Sequence, residues 1–289
     1  MTDIFEGPED GEENQFTEKL LPLLTTHLDE EKVSTILYAV SNRLRPWMER
    51  WNLWDALFTV VVHSPTHTQH LAFISAVRAH PPTQPKNKGA PIHWSDLPGF
   101  ATQWSDAHGV LWANRDWDRS VRGPSKESPP TAYSTVYARY CAFGASLLKT
   151  TGPEGGVHPI RVFYEVRNTL ERDVPSAGTD RGEGKLPARD VWDLDVRVAA
   201  TWIRDGARRL WDVDEQELRH RWGRTLDLAT ERWPKTEGLT LERWRLWLQR
   251  VRDLGGEEDL GDETKRLLSQ AAQVLEDLVE GADGTTGEV

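Results

Sequence analysis

The sequence predicts an all-α protein, a single globular domain of roughly ten helices packed as an irregular, orthogonal helical bundle. Apolar residues recur at spacings of three and four in nearly every long segment, which is the period of a helix, and no segment alternates convincingly at the period of two that a strand requires. No sequence period of the repeat-protein kind appears either, which favours a globular bundle over a solenoid.

The 289 residues divide into one folded region and two polar ends. Residues 1–15 are acidic, and residues 281–289 are small and polar, so we predict that both ends are disordered. A single helical domain is then expected over residues 16–280. Within it, residues 174–187 are rich in glycine, proline and polar residues, which indicates a mobile loop.

Three helices are predicted in the first eighty residues. The first has an apolar stripe over residues 33–44, and Pro46 separates it from the second. The second, over residues 47–62, is apolar on most sides, which indicates neighbours all round it. Ser64 and Pro65 are typical of an N-cap and a first helical position, so we expect the third helix to begin there.

The middle of the chain alternates helices with loops. Residues 81–91 interrupt the helical pattern with prolines and a glycine, and residues 94–112 resume it as two short helices. A long polar loop over residues 113–130 precedes an aromatic helix at 133–147. The next helix is predicted over residues 158–171.

The C-terminal part contains the longest apolar stripe, over residues 192–210. Gly206 lies in the middle of this stripe, where it would let another backbone approach closely. A capping box begins at Asp214, and Thr240 can cap the helix that follows. The final stripe covers residues 267–278.

Charge and composition exclude several classes of protein. The net charge of -11 opposes both a nucleic-acid backbone and an anionic membrane surface. No apolar stretch is long enough to span a bilayer, and the N-terminal residues lack the features of a secretory signal. The one cysteine, Cys141, has no partner for an internal disulfide. We therefore expect no nucleic acid or membrane partner, and a cytoplasmic protein with the nucleus as the alternative.

Five segments together are typical of one family. They are SPTHTQHLAFISAVRAHPP, HWSDLPGF, YARYCAFG, IRVFYEVRNTLE and AATWIRDGARRLW, and their order and spacing carry the likeness. In these segments the chain resembles an uncharacterised, mostly fungal family known as domain of unknown function 3632. The resemblance implies an all-helical fungal protein, and it supplies no catalytic residue that can be carried onto this chain.

The first group of candidate ligand-binding residues lies on two neighbouring aromatic helices. Tyr137, Arg139 and Tyr140 lie on the first helix, and Arg139 could bind an anionic or carbonyl group. Tyr164 and Glu165 lie on the second, where a neighbouring guanidinium could tune a buried acid. All five could face one cavity, and the competing interpretation is a salt-bridged helix face.

The second group of candidates combines tryptophans with charges. Trp202, Asp205 and Arg209 lie along one flank of the longest helix, either as part of a small-molecule site or as a structural ion pair beside a core tryptophan. Trp112 and Trp117 flank the start of the long loop, and such loops often cover binding sites. The chain has 14 tryptophans, most of which we expect to pack in the core.

No cofactor or metal is predicted. His63, His67 and His70 lie close together, but no carboxylate or cysteine stands at a supporting position. There is no phosphate-binding loop, dinucleotide fingerprint or nucleophile elbow.

Two functions stay open from the sequence. The first is a helical protein that binds an apolar or aromatic small molecule in an aromatic pocket; its enzymatic form would be a cofactor-free cyclase or isomerase of fungal secondary metabolism. The second is a helical interaction module that binds a protein partner without catalysis.

Overall fold

The computed structural model describes residue 24 and residues 30–42, 46–86, 89–123, 129–176 and 182–285. Among these, the side chains of 30, 46–49 and 283–285 are not described. The described residues contain ten α-helices, two short 3₁₀ turns and one two-stranded sheet. The all-α prediction is therefore confirmed.

The contacts divide the chain into two compact units. Unit 1 comprises Met1–Leu147 and Glu154–Val157, and unit 2 comprises Leu148–Pro153 and His158–Val289. The α-helices of unit 1 are α1 (Glu30–Ser41), α2 (Pro46–His63), α3 (Thr68–Ala79), α4 (Phe100–Asn114) and most of α5 (Tyr133–Thr151). Its strands β1 (Ser120–Val121) and β2 (Thr131–Ala132) form an antiparallel pair.

Helix α2 lies at the centre of unit 1, in agreement with its apolar sequence. Leu53, Trp54, Leu57, Phe58 and Val61 on this helix are all fully buried. These five positions cover more than one face of the helix, because neighbours contact it on several sides. A polar side chain on α2 is consequently close to packed apolar groups.

The predicted start of α3 is wrong by a few residues. The helix begins at Thr68 with His67 at the N-cap, and the side chain of His67 makes no capping hydrogen bond. Ser64 instead belongs to the end of α2, since its backbone N–H donates to the carbonyl oxygen of Val61 at 3.2 Å. Its hydroxyl donates to the carbonyl oxygen of Thr66 at 3.0 Å, which closes a local turn in place of a cap.

Unit 2 is built around the longest helices of the described chain. Its α-helices are α6 (Ile160–Leu170), α7 (Ala188–Trp211), α8 (Glu215–Leu226), α9 (Leu241–Gly255) and α10 (Asp262–Thr285). Helix α7 packs against α6 and α10, and α9 packs against α10. The predicted caps are confirmed: Asp214 accepts from two backbone N–H groups of α8, and Thr240 accepts from the N–H of Arg243.

Gly206 is a site of close approach, as predicted, but side chains rather than a backbone approach it. A Cβ at this position would lie 2.7 Å from Cγ2 of Val162 and 3.2 Å from Cδ2 of Leu148. The missing side chain therefore lets apolar groups of α6 and of the end of α5 contact the backbone of α7.

Several of the predicted domain limits lie outside the residues that the structure describes. Residues 1–15 lie outside the described residues, and so do residues 177–181 of the predicted mobile loop; the rest of that loop is non-helical. Helix α10 continues to Thr285, past the predicted start of the tail at 281. The prediction of one domain over residues 16–280 stays a prediction. None of the helices in the described ranges has the length and apolar character needed to cross a membrane.

Candidate functional site

The predicted tyrosines of α5 lie inside an aromatic cluster of unit 1. The ring of Tyr140 stacks on Trp104, with centroids 5.7 Å apart, and meets Phe58 edge-on at 5.4 Å. Its hydroxyl donates to the carbonyl oxygen of Trp104 at 3.1 Å. Tyr137 is equally buried, and its ring contacts that of His108 at 5.8 Å. These contacts are those of a packed core.

Arg139 is half-buried and contacts the end of α2. Its Nη1 donates to the carbonyl oxygens of His63 at 3.2 Å and of Val62 at 3.4 Å. A guanidinium at this position satisfies carbonyl groups that have no partner within their own helix, and its charge complements the helix dipole. The contact gives Arg139 a structural role in addition to the predicted binding role.

Trp112 and Trp117 lie at the surface of unit 1 and each pairs with a cation. The Trp112 side chain is 44% exposed, and the guanidinium of Arg115 lies 4.7 Å from its ring centroid. Trp117 is half-buried, with the guanidinium of Arg119 at 3.9 Å. Both pairs are surface cation–π contacts.

Two candidates lie on α6 in unit 2. Glu165 is buried, whereas Tyr164 is half-buried and contacts Phe163 edge-on at 6.1 Å. The guanidinium of Arg161 lies 5.9 Å from the Tyr164 ring. The two residues thus face different surroundings on the same helix.

The candidate residues on α7 are a tryptophan of the core and two members of a polar network beside it. Trp202 is fully buried. The carboxylate of Asp205 pairs with Lys149 at 2.9 Å and with Arg204, while Arg209 donates to the backbone carbonyl of Lys149 at 3.1 Å. Burial raises the pKa of Asp205, but hydrogen bonds and charges from Arg204 and Lys149 outweigh burial and hold this pKa below its usual value. The partners of Asp205 are therefore Lys149 and Arg204 instead of Arg209.

Of the histidines His63, His67 and His70 singled out in the sequence, the last two come close together. The rings of His67 and His70 are 6.0 Å apart, and Nδ1 of His63 is 3.1 Å from the hydroxyl of Thr131. Burial lowers the pKa of His67 and of His70 to about 4, so both rings are neutral at pH 7. Within the described part of the chain, no three His, Cys, Asp or Glu side chains form a group that could hold a metal ion.

A buried ion pair in unit 2 was not predicted. Glu171 and Arg243 are both fully buried and form two hydrogen bonds, of 2.7 and 2.9 Å. The carboxylate also accepts from the indole of Trp247 and from the hydroxyl of Thr230, each at 2.8 Å. Nη1 of Arg243 donates to the carbonyl oxygens of Leu226, Glu237 and Gly238. Since four donors fill the carboxylate, we assign this pair a structural role.

A second polar cluster, in unit 1, is the stronger candidate for a functional site. The Asp55 cluster consists of Trp51, Asn52 and Asp55 on α2 and Gln103 on α4. On a helix, residues three and four apart lie side by side, so Asp55 is next to both Asn52 and Trp51. Trp51 is 41% exposed and Asp55 is half-buried, so water reaches the cluster on the side of Trp51.

The chain entering α4 positions Gln103. Gly99 is the N-cap residue of α4 and has a φ of 84°, which favours glycine. The indole of Trp54 donates to the carbonyl oxygen of Pro98 at 3.0 Å, which connects this turn to α2. Gln103 follows one turn into α4, where its backbone N–H donates to the carbonyl oxygen of Gly99. The Gln103 side chain is thereby held against α2.

The amide of Gln103 connects the two helices. Its Nε2 donates to the backbone carbonyl oxygen of Trp51 at 2.9 Å and to Oδ1 of Asp55. Burial raises the pKa of the Asp55 carboxyl to about 7, even though the hydrogen bond from Gln103 lowers it. A carboxyl that titrates near neutral pH can both give and take a proton, as a general acid or base must.

The cluster also has unfilled hydrogen-bonding capacity. Oε1 of Gln103 and Nδ2 of Asn52 are buried and have no hydrogen-bond partner among the described residues. Their side chains are only 2% and 8% exposed. A buried polar atom without a partner costs about 1–3 kcal/mol, so a ligand that pairs with both atoms would recover that free energy.

Sequence reasoning missed this cluster, although a signal was present. Asn52 and Asp55 are polar residues in an otherwise apolar stretch, WNLWDALFTVVV, and they are three apart. Gln103 likewise lies between two buried aromatic residues, Phe100 and Trp104. Polar residues at apolar positions of a helix are the pattern that indicates a buried polar site.

The fold and the Asp55 cluster together define an all-α protein with one half-buried carboxyl that titrates near neutral pH. The chain belongs to the family described as protein of unknown function (DUF3632), whose model matches residues 54–251. Membership confirms the resemblance drawn from the sequence. Comparison with curated proteins finds no match, and comparison with solved structures finds none.

Proposed function

We propose that this protein binds a small molecule at the Asp55 cluster. The observation that carries the proposal is the Asp55 carboxyl, with a pKa of about 7, beside two buried amides that each have an unfilled hydrogen-bond position. Binding sites combine mainly apolar walls with a few convergent polar groups. The partly exposed ring of Trp51 supplies an apolar surface here.

The proposed chemistry is a cofactor-free isomerisation or cyclisation. Asp55 takes a proton from one atom of the bound molecule and returns it to another, so the proton balance closes without a redox partner. A pKa near neutrality favours both steps, because neither the acid nor the base form is scarce at pH 7.

The proposed setting is the cytoplasm of a fungal cell, in secondary metabolism. The support for a fungal source is the sequence resemblance stated above. The support for a reducing compartment is the one cysteine, Cys141, which is buried as a free thiol.

Native mass spectrometry tests the binding proposal. The protein is purified from its own organism and its mass is compared before and after denaturation. We expect a retained small molecule in the wild type and in Asp106→Leu, an exposed position of α4, and its loss in Asp55→Leu. Retention of the same molecule by a folded Asp55→Leu variant contradicts the proposal. Asp55→Asn separates catalysis from binding, because asparagine keeps an acceptor oxygen for the ligand but cannot transfer the proton.

A protein partner is the second candidate function. The observation in its favour is that Val110 and Trp112 on α4 are each 44% exposed. The same native spectrum tests it, because a co-purifying protein adds its own mass. We expect Val110→Glu to remove such a partner without affecting a ligand at Asp55, and a partner that survives this change argues against the α4 surface.

A further inference from the structure

We propose that the ligand of the Asp55 cluster is an uncharged planar molecule with an amide N–H next to its carbonyl group, such as a lactam or a cyclic imide. This inference rests on the function proposed above and names the chemical class of the ligand. It follows from the two unfilled hydrogen-bond positions and from the residues that hold them.

The orientation of the Gln103 amide follows from its two partners. The carbonyl oxygen of Trp51 can only accept a hydrogen bond, so the atom that faces it at 2.9 Å must be Nε2. The same nitrogen donates to Asp55. Oε1 of Gln103 is therefore the remaining atom, a buried acceptor that requires a donor from the ligand.

The Asn52 amide supplies the opposite polarity. Its Nδ2 is a buried donor that requires an acceptor. Gln103 contacts the carbonyl group of Trp51, the residue before Asn52. The Cα of Asn52, which carries its side chain, is only two bonds from that carbonyl carbon. The open acceptor and the open donor consequently belong to neighbouring groups.

Only some ligand groups can pair with both Oε1 of Gln103 and Nδ2 of Asn52. An ammonium group has donors but no acceptor for Asn52, and a carboxylate has acceptors but no donor for Gln103. An amide held in the cis geometry of a ring presents one donor and one acceptor along the same edge. A flat ring could also stack on the indole of Trp51, which lies one helical turn before Asp55 and is partly exposed.

Saturation-transfer NMR on the full chain tests this class with defined probes. The probes are succinimide and 2-pyrrolidinone, with N-methylsuccinimide as the analogue that lacks the donor and cyclopentanol as the hydroxyl analogue. We expect succinimide to bind about tenfold more tightly than N-methylsuccinimide, because the analogue leaves the Gln103 oxygen unpaired. Equal binding of the two, or tighter binding of cyclopentanol, overturns the amide assignment.

Paired variants place the binding at the cluster. Asn52→Asp turns the open donor into an acceptor, and we expect it to weaken succinimide binding about tenfold. Asn114→Asp makes the same chemical change at the end of α4, outside the cluster, and should leave binding unchanged. Circular dichroism checks that both variants are folded. Equal binding by Asn52→Asp and the wild type overturns the assignment.

The two proposals fail in distinguishable ways. If the native protein retains a molecule that depends on Asp55 but contains no ring amide, the proposed function stands and the amide class is overturned. If no probe binds and the native protein retains no molecule, both proposals are overturned.

Discussion

The pH dependence of stability provides a direct test of the Asp55 environment. Burial raises the pKa of this carboxyl from 3.8 to about 7, so the folded state binds the proton more tightly than the unfolded chain does. The stabilising contribution of protonated Asp55 is complete below pH 3.8 and is lost as the pH rises through about 7. Asparagine has a similar shape and does not titrate. The stability of Asp55→Asn relative to the wild type should therefore be greater at high pH than at low pH.

The size of this pH dependence follows from the change in the pKa of Asp55. A change from 3.8 to about 7 corresponds to at most about 4 kcal/mol between the two ends of the titration. The side chain is half-buried, and water screens part of the interaction, so we expect about 2 kcal/mol. The free energy of unfolding of Asp55→Asn minus that of the wild type should rise by this amount between pH 4 and pH 8.

Urea denaturation followed by circular dichroism, repeated at intervals across this pH range, measures the difference. The control is Asp106→Asn, an exposed position of α4, for which we expect a change within about 0.5 kcal/mol across the range. A difference for Asp55→Asn that stays flat from pH 4 to pH 8 would refute the burial argument and remove the basis for a proton shuttle.

Three further substitutions test other parts of the structure, each by urea denaturation. Gly206→Ala should destabilise by about 1–3 kcal/mol, because the new Cβ would lie 2.7 Å from a methyl group of Val162. Glu171→Gln should destabilise by about 3–5 kcal/mol, because it leaves the charge of Arg243 buried without its partner. His70→Gln should remove a pH dependence of up to about 3 kcal/mol: since the folded pKa is lowered to about 4, wild-type stability is complete above pH 6.5 and declines as the pH falls towards 4.

Each of the three has a matched control. Gly109→Ala on α4 meets nothing within 4 Å and should stabilise by up to about 1 kcal/mol, the opposite sign to Gly206→Ala. Glu154→Gln breaks an ion pair whose carboxylate is 80% exposed and should cost less than about 1 kcal/mol. His93→Gln changes an exposed ring and should leave the pH profile of the wild type intact. If a control variant changes the stability, or its pH dependence, as much as its test variant does, the corresponding prediction is wrong.

The helices were predictable because their signal is local. The apolar stripe at residues 192–210 lies within α7, Ala188–Trp211, and the caps at Asp214 and Thr240 are where the sequence indicates them. The start of α3 was not predictable, because Ser64 has two local uses, a cap and a turn. The turn through Thr66 prevails in the structure.

The surroundings of the candidate residues depend on contacts between distant parts of the chain. Helical spacing gives Tyr140 and Trp202 the same pattern whether they line a pocket or fill a core, and the structure buries both. The partner of Asp55 lies 48 residues away at Gln103, on another helix. No local pattern specifies such a pairing, so sequence reasoning predicted the helix but not the cluster.

The cost of ionising Asp55 is itself an argument for function. Asparagine at this position would keep an acceptor for Gln103 and avoid the penalty of a buried charge at neutral pH. Asn52 and Gln103 add two further buried atoms without partners, and each destabilises the folded state. Asp55, Asn52 and Gln103 thus each carry a group that is unfavourable for packing, while all four hydrogen bonds to the Glu171 carboxylate are formed. Groups that destabilise the fold are the expected trade of stability for activity, and this contrast with the fully hydrogen-bonded Glu171 carboxylate separates the Asp55 cluster from the structural pair.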